Sequence, residues 1–119
     1  MKQIPTTKKH FEIFKDECNH WAKEWKLDDW KLSYQVAEIK GRGECYRSLE
    51  GCMATITLCK YWEDTIRPIC EEEIREVAKH EMLHVLLGRL GTLNYCRFVT
   101  IDAVDEAEHA LLNKLMELL

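Results

Sequence analysis

Apolar residues recur at spacings of three and four between residue 7 and about residue 27: Phe11, Phe14, Cys18, Trp21 and Trp25. That period places one aromatic stripe along a helix, with Lys, Glu and Asp filling most of the opposite positions. His10 and His20 fall off the stripe and are expected in solvent. Asp28-Asp29 interrupts the pattern, and from Trp30 to Ile39 the period becomes two. Leu32, Tyr34 and Val36 then share one face of a half-buried strand, with Ser33 and Gln35 on the other. Gly41 and Gly43 signal a turn, and Glu44 to Glu50 reads as a short second strand ending at Gly51. Cys52 to Lys60 alternates again, with Ala54, Ile56 and Leu58 opposite Met53, Thr55 and Thr57.

Tyr61 to Pro68 leads into a second helix opened by Glu71-Glu72-Glu73, three carboxylates that suit the positive end of a helix dipole. Pro68 lies near its expected start, and Gly88 and Gly91 mark its expected end. Val77, Ala78, Met82, Leu83, Val85, Leu86 and Leu87 make it apolar nearly all round, the pattern of a helix at the centre of a domain. Asn94 to Thr100 reads as a loop. A last helix runs to Leu119 with Thr100 or Asp102 as its N-cap. Helix, two or three strands, helix, helix: the order predicts an α+β fold.

The 119 residues suffice for one domain with a single core. The composition, 46% apolar and 32% charged, is that of an ordinary globular protein. A net charge of −4 without a basic run argues against nucleic acid as the main partner, because phosphate binding needs clustered Lys and Arg. No apolar stretch approaches a membrane span, and the start Met1-Lys2-Gln3-Ile4-Pro5 lacks the apolar segment of a signal peptide. A cytoplasmic protein without a membrane partner is expected. Cys18, Cys45, Cys52, Cys59, Cys70 and Cys96 contain no C-x-x-C pair, which disfavours a zinc ribbon, and are expected to be free structural thiols.

The second helix contains His80-Glu81-Met82-Leu83-His84, an H-E-x-x-H pattern. Residues four apart on a helix stack, so His80 and His84 can aim ring nitrogens at one metal ion. Glu81 follows His80 by about 100° and can reach a water on that metal without ligating it. Zinc hydrolases use such a glutamate as general base. The competing reading makes the histidines hydrogen-bonded core residues and pairs Glu81 with a cation.

A catalytic zinc usually takes three protein ligands. On the last helix Ile101, Val104, Leu111, Leu112, Leu115, Leu118 and Leu119 cluster within one arc, with Glu108 in its middle. A carboxylate centred on a buried apolar stripe needs a partner, and a metal would supply one. Glu108 is therefore the expected third ligand, with His109 and Asp105 as substitutes and pairing to a Lys or Arg as the other outcome.

These stretches resemble the compact zincins of the gluzincin type, the minigluzincins, and more narrowly the small metallopeptidase-like proteins of bacteriophages and other mobile elements. The likeness runs through Phe11 to Trp25, Asp29-Trp30, Ala54 to Leu58, the motif with Leu86-Leu87, and Glu108 to Leu115. It implies a single compact zincin-like domain over residues 1–119 and zinc held by His80, His84 and Glu108. It also implies peptide hydrolysis with Glu81 as base, and an edge strand near residues 53 to 59 along the substrate cleft. The oxyanion donor is open among Tyr95, Arg97 and His109. The expected partner is a peptide or protein substrate. The alternative is a non-catalytic or latent zinc-binding module that acts through, or is activated by, a protein partner.

Overall fold

The computed structural model describes residues 3–48, 50–63, 69–88 and 100–118. Its elements in chain order are β1 (Gln3–Pro5), α1 (Lys8–Glu24), β2 (Lys31–Ala37), β3 (Gly43–Ser48), β4 (Met53–Cys59), β5 (Tyr61–Glu63), α2 (Glu71–Leu86) and α3 (Ile101–Leu118). The α+β class and the order of the main elements agree with the sequence expectation. The two short strands β1 and β5 are additions. They pair antiparallel, Ile4 opposite Trp62, and a three-residue strand is too short to show a period.

Helix α1 begins at Thr7, whose hydroxyl accepts from the His10 amide while the Thr7 amide donates to His10 Nδ1. His10 thus takes the place of the glutamate of a capping box, a local role that its position off the stripe did not suggest. The helix ends with Lys26 in the left-handed region at φ 51. There the Leu27 amide donates to Ala22 O and the Lys26 amide to Lys23 O, which satisfies carbonyls left open at the helix end. Of the aromatic stripe, Phe14 and Cys18 are fully buried and Phe11, Trp21 and Trp25 pack around them.

The main sheet has the order β2-β4-β3. Strand β4 pairs parallel with β2, Leu32 opposite Ala54, and antiparallel with β3, Cys45 opposite Ile56. The sheet therefore corrects the expectation that residues 53 to 59 form an edge. β4 is central, and β3 is the edge on the side of α2. The reason is composition: β4 supplies Ala54, Ile56, Leu58 and Cys59 to the core, whereas β3 carries Glu44, Arg47 and Ser48, residues that tolerate an edge. On the face opposite Ala54, Ile56 and Leu58, Ser33 bonds Thr55 and Gln35 donates to the buried Thr57, so polar pairs lock the parallel register.

Helix α2 lies against α1 and β3. Ile74, Ala78, Met82 and Val85 form its buried stripe and meet Phe14, Cys18, Ile56, Leu58 and Trp62 in the core. Contrary to the expectation of a fully enclosed helix, Leu83, Leu87, His80 and His84 are exposed. One small sheet and one neighbouring helix cover only part of its circumference. Helix α3 is capped by Thr100, whose hydroxyl accepts from the Ala103 amide. It turns Ala107, Ala110, Leu111 and Lys114 toward Trp30, Leu86 and Leu87, around a cavity of about 250 Å³. Small residues permit that approach, and Lys114 reaches the Lys26 carbonyl and the Asp29 carboxylate.

Gly43 sits where β3 crosses α2, and a β-carbon there would stand 2.6 Å from Val77 Cγ1 and 3.1 Å from Glu81 Cγ. Gly43→Ala should therefore destabilise the fold by about 1–3 kcal/mol, the usual range for overpacking. Val77→Ala in the same chain should return part of that loss, a coupling of about 1 kcal/mol in a urea double-mutant cycle. Additive losses would mean that the contact relaxes without strain.

Candidate metal centre

The helical period of α2 divides its residues between two tasks. The stripe Ile74, Ala78, Met82, Val85 faces the core, and His80 and His84 lie one above the other on the open side. Their ring centroids are 5.0 Å apart with the planes at 81°. Glu81 falls between the two sides, with His80 Nε2 4.0 Å from Glu81 Oε1. The ligating atoms of His80, Glu81 and His84 all lie within 4.8 Å of one another, so these three can hold a metal ion.

The electrostatics set Glu81 apart. Its side chain is 5% exposed, against 71% for His80, and Oε2 is buried without a hydrogen-bond partner. Burial pushes the carboxyl above its ordinary range and nearby Glu44 adds to this, with His80 opposing. His84 moves the other way: burial first, then His80 and Arg47, hold its imidazole below the ordinary histidine range. A neutral imidazole is the form that ligates a metal. The backbone of His84 is anchored in turn, because Arg47 of β3 donates to the His84 carbonyl at 3.0 Å.

Two exposed imidazoles and a buried carboxylate oxygen lacking a partner fit a divalent ion with nitrogen and oxygen ligands. Among the described residues the group stops at these three. Glu108 is exposed on α3 and stands outside it, as do His109 and Asp105. The inward face of α3 is centred near Ala107, so Glu108 does not occupy the buried stripe that the arc of leucines suggested. His109 Nδ1 lies 2.8 Å from the Asp105 carbonyl of its own helix. Tyr95 and Arg97, considered as oxyanion donors, lie outside the described residues, as does Cys96.

Sequence reasoning missed the contribution of β3. The sequence signals a turn at Gly43, yet this residue starts the strand and lets the backbone approach Glu81. An isolated glycine beside a strand is a signal of close approach as well as of a turn. The described cysteines Cys18, Cys45, Cys52, Cys59 and Cys70 are free, as expected. Burial pushes the Cys45 thiol up to about 12 and Cys18 also upward, which suits packing residues rather than nucleophiles.

Because the folded state raises the Glu81 pKa, it binds that proton more tightly than the unfolded chain does. The stabilising contribution is complete below the unfolded-chain value and is lost as pH rises through the folded value. Glu81→Gln should accordingly stabilise the metal-free protein at neutral pH, by about 1 kcal/mol or more for relief of a buried unpaired group. The gain should vanish in acid, where wild-type Glu81 is itself protonated. Urea melts across pH check both the sign and the window. No protein-family model, curated protein or solved structure matches the chain, so the functional reading rests on this geometry.

Proposed function

We propose that the protein is a zinc-dependent metallopeptidase. The observation that carries the reading is the pair His80 and His84, one turn apart, with ligand atoms within 4.8 Å of those of a buried Glu81 that has one oxygen without a partner, all on one helix. His80 and His84 would hold the ion, with Glu108 as the third ligand. When bound, zinc supplies Lewis acidity, lowering the pKa of a water and polarising a substrate carbonyl. Glu81 would accept the proton at its carboxylate and return it to the leaving amine. Its burial favours this role, since a raised pKa brings a carboxylate nearer to the working range of a base at neutral pH. Strand β3 has its outer edge unpaired among the described residues and runs beside α2. An extended peptide could add to that edge, so that the free backbone groups of β3 hold the scissile bond near His80 and His84.

A specific observation also favours a second reading. Glu108 stands outside the His80–Glu81–His84 group, so its ligation requires its side chain or α3 to shift. The exposed Val104, Leu112 and Leu115 on α3 and Leu83 and Leu87 on α2 offer apolar surface for such a shift. A latent zinc-binding module that a protein partner completes shares the same site.

Elemental analysis after zinc dialysis tests both. About one zinc per chain is expected in the wild type, with loss in His84→Ala and weakened retention in Glu108→Ala. Glu81→Gln should keep the metal and lose hydrolysis of a peptide library by at least about a hundredfold, the scale of a general base. Full zinc retention in Glu108→Ala would remove Glu108 from the ligand set, and metal without hydrolysis in the wild type would favour the latent module.

A further inference from the structure

The stripe of α2 that carries the site extends further toward its N-terminus. Glu73, Glu76, Val77, His80, Glu81 and His84 follow one another at steps of three, one, three, one and three, the spacing of a single helix face. Five of them, with Arg42 and Gly43, line a cleft of about 460 Å³: Glu73, Glu76, Val77, His80 and Glu81. The cleft is therefore continuous with the candidate metal centre. It exists because residue 43 lacks a side chain, which keeps the β3 end of the cleft clear and the strand close to α2.

Its walls are acidic. Arg42 supplies the cation of the lining, and it is engaged with Glu73 at 3.2 Å and lies over the Trp62 ring at 4.4 Å. Lys79 of the same helix is turned to the other side, over Trp21 at 4.5 Å. Glu76 is exposed one turn before His80, and Glu44 adds negative potential at Glu81. Glu81, which the cleft shares with the candidate metal centre, lines it with a side chain more than nine-tenths buried and one oxygen lacking a partner. A bound group with donor hydrogens would meet the exposed Glu76 carboxylate beside an apolar wall at Val77.

We infer that this cleft is a substrate subsite for a cationic nitrogen next to the scissile bond, with Glu76 as its main anionic contact. The substrate class is a peptide that presents a Lys or Arg side chain, or a free α-ammonium group, at the residue adjoining the cleaved bond. The identification as a substrate subsite rests on the metallopeptidase reading. The cation preference of the cleft is a property of the chain alone. An exposed carboxylate paired with a cation is worth up to about 1 kcal/mol, about fivefold in binding, so discrimination of that order is expected.

The test uses the full chain, metal-free, in a backbone-amide NMR titration with three small probes. Acetyl-alanyl-arginine amide carries the side-chain cation. Acetyl-alanyl-citrulline amide is its neutral counterpart, and alanyl-alanine amide carries only the α-ammonium group. One of the cationic probes should shift the amides of Gly43, Glu76, Val77 and His80 with an affinity about fivefold above the citrulline probe, and which one does so identifies the source of the cation. Glu76→Gln, an exposed substitution compatible with the fold, should erase that margin. Equal shifts with the citrulline probe, or a margin unchanged in Glu76→Gln, would overturn the inference.

Zinc dialysis and peptide hydrolysis run alongside. If hydrolysis occurs, the arginine-over-citrulline ratio in kcat/KM, or the corresponding ratio for free over acetylated amino termini, should fall about fivefold in Glu76→Gln. Failure to bind zinc would remove the metallopeptidase reading, while the metal-free titration would still decide whether the cleft selects cations.

Discussion

One helix has to serve two environments. The 3.6-residue turn of α2 sends Ile74, Ala78, Met82 and Val85 into the core, and a rotation of about 100° from one residue to the next brings His80 and His84 to the open side. Much of the remaining structure follows from how that helix is held. On the core side, Phe14 and Cys18 of α1 and Ile56 and Leu58 of β4 close around the stripe. On the polar flank, Glu17 accepts from both Trp21 Nε1 and Arg75, while Arg75 also reaches Glu71. This chain of charged hydrogen bonds crosses from α1 to α2, and the strong donors of Arg75 are engaged by both helices.

Glu81 is where the two environments meet. A carboxylate that sits between core and site is desolvated, which raises its pKa and leaves one oxygen without a partner. A residue placed for packing alone would be apolar there. An ionisable group at such a position marks a candidate functional site. The close approach of Gly43 is part of the same arrangement, because a side chain at that point would overlap Val77 and crowd Glu81. Arg47, four residues on, fixes the carbonyl of His84 from the same strand. The edge strand thus approaches Glu81 closely at one end and holds the backbone of His84 at the other.

The seat of α3 follows from side-chain size rather than from hydrophobicity. Ala107 and Ala110 allow the helix to approach Trp30 and Leu86, and Lys114 spans the gap to Asp29 and the Lys26 carbonyl with its long stem. The bulkier apolar residues Ile101, Leu112, Leu115 and Met116 remain exposed as a result. Glu108 shares that outward part of the helix, one turn from Leu112, rather than the inward face.

The sequence by itself determined the main elements and the His80-Glu81-His84 grouping on α2. A period of three and four in Phe11 to Trp25, a period of two in Leu32 to Val36 and Ala54 to Leu58, and the four-residue step from His80 to His84 are local properties. Helix and strand geometry convert them directly into faces. Tertiary structure alone decided which strand lies at the edge, which side of α3 faces inward, and that Gly43 belongs beside Glu81. Each of these depends on competition among residues far apart in the chain. β4 takes the centre because it is the most apolar strand, α3 turns its alanines inward because they fit, and Gly43 meets Val77 across more than thirty residues. A pattern that repeats within one element is legible before folding. A choice between two faces that could both be buried depends on the shape of the surface opposite.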